Sequence, residues 1–289
     1  LVPLATASDG AGSIRIPAAC TGLFGLKLSR GRLGWGDRDE AWTGMAVPGV
    51  LTRSVTDAAL AYGTLTGEPW SPVGVPRRLR VAVSTATPPG IPQRVLDGER
   101  RDAVLATASL LSELGHDVHE HDVPISLAMT RRVLVRYLAG AAEAERELEH
   151  PERLERRTRR MAAAGRAAER MLRGAVTGAQ ADAAALAPFF AEHDVVLTPA
   201  ISGPPPRVGR WQGSGAALTW QGNAQEYPFS ALWNHVGNPA MAVPSGFDRA
   251  RLPLSVQIVG RPGEERTLLA LAAQMEEARP WAQARPPGS

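Results

Sequence analysis

Near the amino terminus the sequence reads Ser8-Asp9-Gly10-Ala11-Gly12-Ser13-Ile14-Arg15, a hydroxyl behind two glycines with an acid before it and an arginine after it. Gly10 and Gly12 lack a Cβ, so successive backbone N–H groups can converge on one point and make a nest for negative charge. If Ser13 attacked a carbonyl carbon, the amides of Gly10, Ala11, Gly12 and Ser13 could hold the resulting oxyanion, and removing one such donor typically costs about 2.7–4 kcal/mol of barrier. Other readings of the stretch stay open. Ser13 could be a simple turn former. Gly10-Ala11-Gly12 begins a G-x-G-x-x-G phosphate loop, but Arg15 stands where the third glycine belongs. The G-x-S-x-G elbow is absent, because Ala11 and Arg15 occupy its outer positions.

A hydroxyl is a weak nucleophile near neutral pH and needs a positioned base. Lys27, the only lysine, is a candidate by elimination. His119 and His121 share one face of an expected edge strand, where solvent exposure is the simpler reading. His235 stands beside Asn234 and is a more distant candidate. The single cysteine, Cys20, excludes a disulfide within the chain, and no paired Cys or His spacing suggests a zinc site. No metal and no cofactor is expected.

The elements that would carry these residues alternate between strand-like and helix-like patterns. Ser54 opens a helix with Val55, Ala58, Ala59, Tyr62 and Leu65 on one face, and Gly67 closes it. A short buried strand is expected at 79–84, a helix from Gly98 to Leu114 stopped by Gly115, and an edge strand in "HDVHEHDV". Strand signals return at 194–199 and 252–260, and "EERTLLALAAQMEEA" ends the sequence as an amphipathic helix. This βαβ rhythm predicts a layered α/β fold. Residues 126–190 read as several helices covering a sheet, punctuated by Pro151, Gly165, Gly174 and Pro188. The stretch "GPPPRVGRWQGSGAALTWQG" reads as a long loop.

With 289 residues and 44% hydrophobic content the chain can bury a sizeable core. Its 32 basic and 29 acidic residues leave a net charge of +3, too little to point to nucleic acid or anionic lipid. The arginine run "LERRTRR" is interleaved with Glu152 and Glu155 and reads as a solvated helix face. No apolar run approaches the ~20 residues of a membrane helix. A soluble, cytoplasmic protein is the expectation. The opening "LVPLATAS", without methionine, reads as a strand already under way and so as part of a longer protein.

The stretch "SDGAGSIRIPAACTGLFGLKLSRGRL" resembles the core of the amidase signature family, serine hydrolases that cleave amide bonds. The blocks "GVLTRSVTDAALAYGTLTG", "HDVVLTPAISGPPP", "NHVGNPAMAVPSGF" and "LPLSVQIVGRPGEERTLLALAAQ" resemble further blocks of that family in the same order. The resemblance implies a mixed β-sheet core covered by α-helices, an α/β fold incomplete at the amino terminus, with residues 1–289 as one truncated domain. It implies Ser13 as nucleophile, the amides of Gly10, Ala11, Gly12 and Ser13 as oxyanion hole, Asp9 and Arg15 as braces of the loop, and a small buried role for Cys20. At Ala11 the family often has glycine, and a Cβ there would cost about 1–2 kcal/mol if φ were positive. The family activates its serine through a second serine on a cis peptide and then a lysine, both upstream of the nucleophile, and only twelve residues precede Ser13 here. Lys27 falls on a family lysine that is not the catalytic one.

The expected substrate is a small-molecule amide, without cofactor, nucleic acid or membrane, and exposed core surface could drive self-association. Two alternatives remain: a catalytically dead remnant or assembly subunit, and the amidase subunit of a tRNA-dependent amidotransferase.

Overall fold

The computed structural model describes residues 2–36, 40–71, 77–91 and 96–284. In chain order the elements are β1 (Leu4–Asp9), α1 (Arg15–Thr21), β2 (Phe24–Lys27), β3 (Val47–Thr52), α2 (Val55–Thr66), β4 (Arg80–Val83), α3 (Gly98–Glu113) and β5 (Asp117–Glu120). Then follow α4 (Leu127–Arg146), a 3-10 turn (Pro151–Arg153), α5 (Arg156–Glu192), β6 (Val195–Pro199), α6 (Ala216–Glu226), α7 (Ala231–Val236), β7 (Ala240–Phe247), β8 (Pro253–Gly260) and α8 (Glu265–Ala278).

The strands form one mixed sheet of eight in the order β1-β3-β2-β7-β8-β6-β4-β5. Only β6, β4 and β5 run parallel to one another, and the other neighbours are antiparallel. The expected α/β class with a mixed sheet and helical cover is the observed one. β5 lies at the sheet edge, and β4, β6, β8 and α8 fall within a residue or two of the segments expected for them.

Strand alternation divides the core into two layers, because successive side chains leave opposite faces of a strand. Val81, Val83, Val195, Leu197, Val256 and Ile258 pack with Val104 and Leu111 of α3 and with Leu268, Leu269 and Met275 of α8. Their neighbours Ala82, Val196 and Val259 face Phe189 and Phe190 of α5 and Trp233 of α7. In α2 the Ser54 side chain accepts a hydrogen bond from the Asp57 N–H at 3.1 Å, as its capping pattern predicts. Val55, Ala58, Ala59 and Tyr62 are buried, but Leu65, expected on the same face, is 50% exposed: at about 100° per residue it falls at the edge of the face those four residues define.

Two expectations about the middle of the chain are corrected. Gly165, Gly174 and Pro188 do not divide helices: all three lie inside α5, a single helix of 37 residues. Pro188 removes one helical N–H at a cost of about 3 kcal/mol, and the adjacent Leu186, Phe189 and Phe190 offset it by anchoring that turn in the core. The segment read as one long loop contains the first seven residues of α6, Ala216 to Gly222, because Ala216, Ala217 and Leu218 favour a helix that the Pro- and Gly-rich stretch before them does not.

Helices α4 and α5 pack closely where small residues meet: Ala142 and the Leu138 backbone of α4 lie against Gly165 of α5, which the buried Ala162 and Ala168 flank. A Cβ on Gly165 would lie 2.1 Å from the Leu138 carbonyl oxygen, whereas one on Gly174 would meet nothing within 4 Å. Gly165→Ala should therefore lower stability by about 1–3 kcal/mol through overpacking. Gly174→Ala should raise it by about 0.5–1 kcal/mol, because only the entropic penalty of glycine in a helix is removed. Urea denaturation of both variants, with opposite shifts in midpoint, checks the close helix contact.

Candidate active site

The loop residues singled out in the sequence, Asp9 to Arg15, lie at the junction of β1 and α1. Strand β1 ends at Asp9, the loop Gly10–Ile14 turns, and α1 begins at Arg15. The turn is closed by the Ile16 N–H donating to the Gly12 carbonyl at 2.7 Å. Gly12 has φ 127, and a Cβ there would lie 2.6 Å from Ile16 Cδ1 and 2.8 Å from Ser230 Cβ. Both conformation and space therefore demand glycine at that position. Ala11 has no positive φ, so its methyl group costs the loop nothing.

Asp9 and Arg15 are fully buried and doubly paired: Arg15 Nε donates to Asp9 Oδ2 at 2.9 Å and Nη2 to Oδ1 at 3.0 Å. The remaining polar atoms are satisfied from the far end of the chain. Arg15 Nη1 donates to Gln257 Oε1 at 2.7 Å and the Ser230 carbonyl at 3.0 Å, and Nη2 donates to Asn234 Oδ1 at 2.6 Å. Asn234 Nδ2 donates to the Asp9 carbonyl at 2.6 Å, to Asp9 Oδ1 at 2.9 Å and to the Met45 carbonyl at 3.1 Å. Burial alone would raise the Asp9 carboxyl, but the Arg15 guanidinium, with help from Lys27 and Asn234, holds it well below the ordinary carboxylate range.

The loop amides divide in their use. The Gly12 N–H donates to Asp9 Oδ1 at 2.6 Å and the Ile14 N–H to Oδ2 at 3.3 Å. Gly12, expected among the oxyanion donors, thus spends its N–H inside the loop, because the carboxylate that braces the turn lies directly beneath it. The amides of Gly10, Ala11 and Ser13 have no acceptor among the described residues. Ser13 itself is exposed, and with Gly10 and Ala11 it lines a cavity of about 680 Å³ whose wall includes Ile16, Trp42, Leu134, Tyr137 and Trp220. Trp42 and Thr43 hold positive φ of 52 and 53, a strained conformation for side chains with a Cβ. Helix α4 pins them: Trp42 Nε1 donates to the Tyr137 carbonyl at 3.2 Å, and Arg136 donates to the Thr43 carbonyl at 2.6 Å.

None of the candidate bases joins this group. Lys27 is fully buried on β2 and donates to the Leu28 carbonyl at 2.9 Å. His235 donates from Nε2 to Asp182 Oδ2 at 2.9 Å and accepts from Arg136 at Nδ1, 3.3 Å away. Burial, with the Arg136 charge, pushes His235 down to about 4 despite Asp182, so it is neutral near pH 7. His119 is exposed and paired with Asp117 at 3.0 Å. Cys20 is half-buried, and burial pushes its thiol up to about 11, which fits a quiet packing role. Asn234, Gln257 and the Ser230 carbonyl were missed as loop partners. A lone amide such as Gln257 inside the apolar run Ser255-Val256-Gln257-Ile258-Val259 was the available signal, since a buried polar group in a strand must find a partner. Among the described residues one group could ligate a metal, His121, Glu192 and His193, and none of these lines the cavity.

Removing Arg15 leaves a buried carboxylate without its cation. Arg15→Met should cost about 3–5 kcal/mol at pH 7. The native pair's contribution is fully present above the ordinary Asp value of 3.8 and is lost as pH falls through the depressed folded value, so the gap between variant and wild type should narrow toward pH 3 in thermal denaturation. Lys27 behaves oppositely, because burial pushes it from 10.5 down to about 7. Below pH 7 its charge is held without water, and between about 7 and 10.5 the folded state sheds a proton that the unfolded chain keeps, so stability rises with pH. Relative to Lys27→Met, the wild type should gain about 2–3 kcal/mol between pH 6 and pH 9.

Comparison with known proteins places the chain in a family. "Putative amidase AmiB2" of Mycobacterium bovis is 42% identical over 295 residues, covering 99% of this chain and 63% of the relative. A protein of Synechocystis named "Putative amidase" is 32% identical over 293 residues, covering 96% of this chain and 56% of its own length. The chain thus spans less than two thirds of these relatives. Among solved structures, 6-aminohexanoate cyclic dimer hydrolase superposes with a TM-score of 0.87 at 27% identity, over 99% of this chain and 66% of that one. A glutamyl-tRNA(Gln) amidotransferase component from Thermotoga maritima shares the fold, with a TM-score of 0.74 at 24% identity over 96% of this chain and 63% of that one. The Amidase family model matches residues 1–269, and with these relatives it establishes that the chain belongs to the amidase signature family.

Proposed function

We propose that Ser13 is the nucleophile of an amide hydrolase whose oxyanion hole is made by the loop amides. The observation that carries this reading is the exposed Ser13 hydroxyl on a cavity wall, beside Gly10 and Ala11 amides with no other acceptor, on a loop held by the buried Asp9–Arg15 pair. Ser13 Oγ attacks the amide carbon, and the free amides of Gly10, Ala11 and Ser13 stabilise the oxyanion. The amine leaves with a proton, and water hydrolyses the acyl-enzyme. Gly12 acts indirectly, its N–H fixing the turn through Asp9.

The base comes from outside these residues. Lys27 and the histidines of the described chain are engaged elsewhere, and none lines the cavity. The family resemblance supplies a lysine and a bridging serine from an upstream segment, so residues 1–289 are one part of a single amidase domain and hydrolyse amides negligibly alone. The apolar and aromatic cavity wall suits amides with aliphatic or aryl groups. An aliphatic amide is also what the name of the similar 6-aminohexanoate cyclic dimer hydrolase describes.

The test uses the protein in its natural full length, assayed on aliphatic and aryl amides and labelled with a fluorophosphonate. Ser13→Ala should lose the label and at least about 10³-fold in kcat. Undiminished turnover by Ser13→Ala would overturn the assignment of the nucleophile. Full-rate hydrolysis by residues 1–289 alone would overturn the upstream base. A full-length protein that neither labels nor hydrolyses would favour an assembly or remnant role, and activity only with a partner protein would favour an amidotransferase.

A further inference from the structure

At the opposite edge of the sheet from the Ser13 loop, three side chains meet that have no part in the proposed reaction. His121 follows β5, Glu192 ends α5, and His193 leads into β6. One potential ligand atom from each lies within 4.8 Å of the others.

The imidazoles are arranged as ligands are. His193 Nδ1 lies 2.9 Å from the Phe189 carbonyl, which can only accept, so Nδ1 carries the proton and Nε2 presents its lone pair. A histidine that gives its second N–H to a backbone carbonyl is the usual outer support of a metal-ligating imidazole. His193 Nε2 faces His121 Nδ1 at 3.2 Å. Two nitrogens bound at 2.0–2.1 Å to one tetrahedral zinc ion lie about 3.3 Å apart, which is the spacing of this pair, so a cation would replace the proton they share while Glu192, within 4.8 Å, closes in. Glu192 adds a carboxylate and offsets part of the cation's charge.

The backbone under these ligands is fixed. The His121 N–H donates to the Val83 carbonyl at 3.1 Å, and the His193 and Asp194 N–H groups donate to Phe189 and Arg80 carbonyls at 3.0 and 2.8 Å. The Phe189 ring packs against both imidazoles, with centroids 5.5 Å from His121 and 4.7 Å from His193. His121 and Glu192 are exposed, which leaves an entry path and room for a water as fourth ligand.

We propose that His121, Glu192 and His193 bind one borderline divalent transition-metal ion of the zinc type, with water completing the tetrahedron. The ion would staple the end of β5 to the α5–β6 junction. Its role is structural, since none of the three residues lines the Ser13 cavity.

The test is zinc titration, by calorimetry, of the tag-free protein in its natural full length after removal of metals with a chelator. One ion per chain should bind and raise the thermal midpoint, and the cobalt-loaded form should show the visible absorption of a tetrahedral centre. His121→Ala should weaken binding at least tenfold and abolish the midpoint shift. In chelator its midpoint should stay near that of the wild type, separating ligand loss from misfolding. His119→Ala, which alters an exposed neighbouring imidazole, should bind zinc as the wild type does. No stoichiometric binding, binding unchanged in His121→Ala, or binding lost on Cys20→Ser would overturn the site and leave a plain hydrogen bond between two histidines.

Discussion

The Asp9–Arg15 pair is the interaction on which the rest of the candidate site depends. Two opposite charges taken out of water are tolerable only when every remaining lone pair and proton is used. Here Arg15 reaches Asp9, Ser230, Asn234 and Gln257, while Asp9 takes in return the amides of Gly12 and Ile14. Residues more than two hundred positions apart are thereby tied to one turn. The pair also sets the division of labour among the loop amides, because the carboxylate that shapes the turn occupies Gly12 and leaves its neighbours free.

Sheet geometry brings the distant partners to that pair. Gln257 lies between Val256 and Ile258 on β8, and since those two face one core layer, the pleat aims Gln257 at the other, where Arg15 waits. Its amide nitrogen is satisfied in turn by Thr198 at 3.1 Å and the Phe229 carbonyl at 2.8 Å. The cavity wall depends on a different constraint. Small residues let α4 approach α5, and Gly140 leaves space for the Trp42 ring, which a Cβ at that position would meet at 1.6 Å.

Titratable groups elsewhere in the interior are held by the same rule. Arg132 pairs with Asp182, Asp182 accepts from His235, and His235 accepts from Arg136, so a chain of charge-assisted contacts fixes one tautomer of the imidazole and links α4, α5 and α7. His235 is thus a fixed link in the packing of those helices rather than a mobile proton carrier. Among the described residues the Lys27 ammonium donates to one carbonyl, and burial outweighs the nearby Asp9 and Glu265 charges that favour its protonated form.

The sequence by itself determined the α/β class, the short strands with their alternation, the capped start of α2 and the loop at Asp9–Arg15, because these rest on local periodicity and residue chemistry. It misjudged α5 and α6: glycine and proline weaken a helix locally, and no local rule registers the tertiary packing that overrides them. It also left the partners of Arg15 unnamed. Tertiary structure alone decided that Asn234 and Gln257 complete the buried pair, that the Gly12 amide is spent within the loop, and that His121 meets His193 across 72 positions. Each of these is a contact between segments far apart in the chain, and which side chains face one another across a sheet or between helices is fixed by register and packing.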